Sequence, residues 1–201
     1  EKVEKCLSKI VDTPTVIYGC SRTDTGVHAN RYCFNFLTDK NIALKGIVRG
    51  MNSTLPRDIS ILSCEEADES FHARYSCKGK EYIYKIHNSE SPDPFTEDLA
   101  FHYRRLIDIG LITEAAKYFI GTHDFKSFCS SGSDKINTVR TIFDFKIIKE
   151  ENNVSILVNG DGFLYNMVRI MVGTLLFVNE GKLEPIDINS GKNRTASRFI
   201  S

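Results

Sequence analysis

The 201 residues carry 26 Lys and Arg against 26 Asp and Glu, so no global basic field draws the chain to a polyanion. Any contact with nucleic acid must then come from a local patch. Apolar residues at 41% and only five prolines exclude a disordered chain, and the longest uncharged run, Ile170 to Asn179, is half the roughly 20 residues of a spanning helix.

Val3, Cys6, Leu7, Ile10 and Val11 repeat at helical spacing, so the chain is expected to begin inside a helix, without a signal peptide. Thr15 to Arg22 and Tyr32 to Leu37 read as strands, being rich in β-branched and aromatic residues. Leu44, Ile47, Val48 and Met51 predict a second helix that Pro56 helps to stop, and Ile59 to Cys64 predicts a short strand. A long strand is expected within Tyr75 to His87. The third helix takes Leu111 to Ile120, with Asp108 as its N-cap and Gly121 as its stop. Strands at 136–149 and 153–160 follow, and a fourth helix runs from Leu164 to Asn179, ended by Gly181. The six cysteines are far apart and form no Cys-x-x-Cys pair, which predicts reduced thiols, a cytoplasmic protein and no metal site.

The element order is αββαβ and then βαββα. Each half lacks one strand of the β-α-β-β-α-β split unit. The expected class is therefore α+β: two ferredoxin-like halves with antiparallel sheets, residues 1–77 and 78–201, terminal strands missing and the active site in the cleft between them.

Three segments carry chemistry. In Ser21-Arg22-Thr23-Asp24-Thr25-Gly26-Val27-His28-Ala29, a carboxylate is flanked by two groups able to contact a phosphate or a base. An ordinary loop with an Asx-turn explains the same residues. In the apolar helix from Leu164, Arg169 cannot lose its proton, so burial demands a carboxylate opposite, unless the long stem snorkels to the surface. In Lys78-Gly79-Lys80-Glu81-Tyr82-Ile83-Tyr84-Lys85-Ile86, alternation puts Tyr82, Tyr84 and Ile86 on one face. Such rings stack on unpaired bases while lysines hold phosphates, although Tyr is also a plain strand former.

The loop Arg22 to Ala29 resembles the R-T-D-x-G-V-H-A signature of the tRNA pseudouridine synthase A family. The resemblance continues in order through Phe71-His72-Ala73-Arg74, Tyr82-x-Tyr84, Gly121-Thr122-His123-Asp124-Phe125, Thr138-Val139-Arg140-Thr141-Ile142, and Phe163 to Gly173. It implies an isomerase that converts uridine to pseudouridine in the anticodon arm of tRNA, as a homodimer without cofactor or metal. It also implies roles. Asp24 matches the essential aspartate, Tyr82 the tyrosine packed on the flipped uracil, and Arg169 the arginine paired with that aspartate. Arg22 matches the arginine that helps turn out the base, and Arg74 a residue that contacts RNA. His28 and Lys80 are added here as RNA contacts.

Pseudouridine formation breaks the N1–C1′ bond, rotates the uracil and joins C5 to C1′. A carboxylate can attack the sugar, attack the ring or assist elimination, and the residues leave all three open. A simple solution satisfies both charges: Asp24 and Arg169 in charge-assisted contact at about 2.7–3.2 Å. Two other readings compete. A non-catalytic ferredoxin-like RNA-binding module explains the tyrosines but not a loop Asp matched to a buried Arg. A nucleoside N-glycosidase would want a second carboxylate near Asp24.

Overall fold

Spacing of three and four residues along α1 (Lys2–Ile10) brings Cys6 and Leu7 to one buried side, where Val11 joins them. They meet Ile47 and Met51 of α2 (Leu44–Thr54) to form a small core. Helix α2 stops because Leu55, preceding Pro56, takes ψ 151°. The computed structural model describes residues 1–24, 26–130 and 137–190. They divide into two compact units, Glu1–Cys77 and Lys78–Ser201.

In the first unit the strands are shorter than expected. Only β1 (Tyr18–Gly19) and β2 (Phe34–Asn35) pair, antiparallel, with Tyr18 opposite Asn35. The expected strand at Ile59–Cys64 does not form. There the Asn52 side chain takes the place of a strand neighbour: Ile61 N–H donates to its Oδ1 at 2.7 Å, and its Nδ2 donates to the Ile61 carbonyl at 2.9 Å. Residue preference favours a strand backbone, but a ladder also needs a partner.

The second unit is built on a five-stranded sheet. Its strands are β3 (Lys80–Asn88), β4 (Phe101–Tyr103), β5 (Gly121–Asp124), β6 (Val139–Glu150) and β7 (Asn153–Gly160), in the order β4-β3-β7-β6-β5. Strand β4 runs parallel to β3 and the other pairs are antiparallel, so the sheet is mixed, which corrects the all-antiparallel expectation. Strands β4 and β5 were not expected, being too short to show a period of two. The class is α+β.

One face of the sheet carries Ile86, Val154, Ile156 and Val158, buried together with Ile112 of α3 (Ile109–Ala116) and with most of α4 (Met167–Asn179). Asp108 caps α3 as expected, its Oδ1 accepting from Leu111 N–H at 3.0 Å. Gly181, at φ 67°, ends α4. Its N–H donates to the Val178 carbonyl at 3.0 Å and Lys182 N–H to that of Phe177 at 2.9 Å, the paired bonds of a Schellman motif. Helix α4 begins at Met167 rather than Leu164. Asn166 takes φ 58°, a left-handed conformation that Asn tolerates, and Met167 N–H turns back to the Leu164 carbonyl at 3.1 Å. Among the described residues no helix is long and apolar enough to cross a membrane.

The last position of β7, Gly160, takes glycine for a steric reason. A Cβ there would lie 2.8 Å from the Thr141 carbonyl oxygen and 3.1 Å from Ile142 Cδ1. The same Thr141 clasps the next residue: its carbonyl accepts from Asp161 N–H at 3.0 Å and its N–H donates to Asp161 Oδ1 at 3.1 Å. Gly160→Ala is expected to lose about 1–3 kcal/mol, as overpacking against backbone does. Urea denaturation checks this: the midpoint should fall with little change in slope.

Candidate functional site

In the first unit, the loop after β1 holds Arg22, Asp24 and His28, all exposed. Main-chain atoms close its turn, Val27 N–H donating to the Asp24 carbonyl at 3.1 Å. The ends of the loop are drawn together as well. Cys20 N–H donates to the Cys33 carbonyl at 2.9 Å, and the Tyr32 hydroxyl donates to the Ser21 carbonyl. The loop is thus a lariat on a short ladder, with its charged side chains in water.

Beside this loop lies a cleft of about 370 Å³, lined by Tyr18, Arg22, Tyr32, His72, Arg74 and Tyr75 among others. The segment carrying His72 to Tyr75 is fixed to β2 by one side chain. Asn35 Oδ1 accepts from Ala73 N–H at 2.9 Å, and its Nδ2 donates to the Phe71 carbonyl at 3.4 Å. Ala73 is buried beneath, and Ser76 N–H returns to the His72 carbonyl at 2.8 Å. Three rings then follow one another across the cleft. Tyr18 and His72 have centroids 5.3 Å apart, and His72 and Tyr75 4.4 Å.

In the second unit the alternation of β3 holds. Lys80, Tyr82 and Tyr84 are half-buried and Ile86 is buried, while Glu81, Ile83 and Lys85 are exposed on the opposite face. Tyr82 lies across from Val158 on β7 and meets the Phe163 ring edge-on, with centroids 5.0 Å apart. Two residues along, burial pushes the Tyr84 phenol up to about 12, and the Arg169 guanidinium pulls the other way. The shift favours the neutral phenol, which can donate a hydrogen bond. Arg169 is half-buried and stands third in α4, not mid-helix as its sequence position suggested. No acidic side chain accompanies it in that first turn.

The structure thus brings Arg22 and Arg74 to one cleft, and sets Lys80 and Tyr82 on one strand face. Asp24 belongs to the first unit and Arg169 to the second. Sequence reasoning gave no role to Tyr18, Asn35, His72 or Tyr75. The run Phe71-His72-Ala73-Arg74 entered as a motif of the resemblance and for the Arg74 cation, and its rings were given no part.

A family model described as tRNA pseudouridine synthase matches residues 115–199. The chain is 46% identical over 185 residues to a Clostridium perfringens protein named tRNA pseudouridine synthase A 2, covering 92% of this chain and 76% of that one. It is 43% identical over 204 residues to tRNA pseudouridine synthase A of Clostridium acetobutylicum, covering 100% and 84% respectively. This chain belongs to the tRNA pseudouridine synthase A family. A third relative of that name, from a Thermoanaerobacter species, is 42% identical over 198 residues, 97% of this chain and 81% of its own. Matches of this extent take in both units. They therefore include the Asp24 loop and the Arg74 cleft, which lie outside the residues of the family model.

Proposed function

We propose that this protein isomerises uridine to pseudouridine in the anticodon arm of tRNA. The observation that carries the reading is identity above 40% with synthases of that name over nearly the whole chain. The reaction exchanges one bond for another within the nucleotide. The N1–C1′ bond breaks, the uracil turns, C5 bonds to C1′, the proton on C5 is lost and N1 gains one. Nothing is oxidised and no group leaves the RNA.

Asp24 is assigned the carboxylate chemistry, in any of the three forms named above. Its exposed position at a loop tip suits a group that must reach a sugar or ring. Tyr82, braced by Phe163, is assigned the packing of the flipped uracil and a proton transfer. Arg169 is assigned the fixed positive charge of the reaction. Arg22, His28, Arg74 and Lys80 are assigned contacts with RNA, consistent with recognition through shape and phosphates. The finer architecture proposed is two ferredoxin-like halves; the run β3-β7-β6 with α3 and α4 supports it, supplying three of the four strands and both helices of one such half. A homodimer working in the cytoplasm completes the reading.

The test is tritium release from tRNA transcripts labelled at uridine C5. The full chain should release tritium in step with pseudouridine formation. Binding of tRNA without release would leave only the RNA-binding module.

A further inference from the structure

We propose that the cleft of the first unit seats an unpaired nucleotide of the bound tRNA, its base stacked on Tyr75 and an adjoining phosphate held by Arg22 and Arg74. The proposal rests on the tRNA reading above. It adds a stacking ring, Tyr75, to the side chains assigned contacts with RNA.

Four observations converge on it. Tyr75 is 79% exposed, a large ring left in water where burial would stabilise it. The ring nonetheless packs on a neighbour, with His72 4.4 Å away and Tyr18 5.3 Å beyond His72. The Asn35 clasp holds the backbone under both. Such a ring is organised before a ligand arrives, so stacking orders little that is not already ordered.

Both arginines line the same cleft and are exposed, and a guanidinium stays charged and matches phosphate geometry. The volume, about 370 Å³, falls in the roughly 300–1,000 Å³ range of small-ligand sites. Rings beside permanent cations form the composition of a single-strand platform, and its stacking is tolerant of base identity.

The protein contains no tryptophan. Tyr75→Trp therefore places a single reporter on the platform. Its emission should be quenched on titration with an unmodified tRNA transcript, saturating together with filter binding. Tyr75→Ala should weaken tRNA binding roughly 5- to 100-fold, and Tyr75→Phe should restore it. The dependence of binding on salt should be unchanged in Tyr75→Ala, whereas Arg74→Ala should lower the slope by about 0.7. Unfolding midpoints matching wild type exclude a folding defect.

Unchanged emission at saturating tRNA, or wild-type affinity in Tyr75→Ala, would overturn the seat. A wild-type protein that isomerises uridine without those effects sinks the seat alone. One that shows quenching and the affinity loss but forms no pseudouridine sinks the enzymatic reading and leaves the seat standing.

Discussion

Asp24→Asn should abolish pseudouridine formation and leave tRNA affinity within about tenfold, or 1.4 kcal/mol. The substitution keeps size and polarity and removes only the charge. Main-chain atoms close the turn, through Val27 N–H and the Asp24 carbonyl, so Asn can take the position without disturbing it. The residue is exposed, and neither an amphipathic stripe nor a cap requires a carboxylate there. A large loss of turnover would therefore be chemical rather than structural. Single-turnover tritium release beside filter binding separates the two. Turnover at even a tenth of wild type would take the chemistry away from Asp24.

The second large effect is expected at Tyr82. Tyr82→Phe retains the edge contact with Phe163 and the position opposite Val158, and removes only the hydroxyl. Binding should survive while turnover falls by about 100-fold or more, the lower range for a lost general acid or base. Tyr82→Ala should also forfeit stacking on the uracil, about 1–3 kcal/mol. It removes a ring packed on the core as well, so its unfolding midpoint should drop where that of Tyr82→Phe does not. Wild-type turnover in both would reduce Tyr82 to a strand former.

Helices were legible because burial writes a period into the sequence. The stripe from Val3 to Val11 and the Asp108 cap both appear where local rules put them. The β3 alternation was legible for the same reason, and with it the face that carries Tyr82. The start of α4 was not, because one residue, Asn166, adopts a left-handed turn that no periodicity reports. Strand β4 owes its existence to pairing with β3, 15 residues earlier at Ile86 and Phe101, and three residues hold no pattern of their own. Arg169 is the instructive case. An arginine in an apolar run was visible, and its place in the first turn of α4 became visible only with the true helix start. The ring series was beyond sequence reasoning altogether. Tyr18, His72 and Tyr75 meet because an amide on β2 holds a distant segment in place, a contact made by folding rather than by spacing.

Among the described residues, the core of the first unit comprises five buried apolar side chains, while that of the second comprises 24. Free energies of local opening follow such differences, so the unit bearing Asp24 and the cleft opens at lower cost than the five-stranded sheet. A ligand that binds only the closed form adds stability where it binds, about 2.7 kcal/mol at a hundredfold excess over Kd. On the proposed reading, RNA seated on this unit therefore adds to its stability. On heating without RNA, the first unit should unfold while the sheet that holds Tyr82 remains folded.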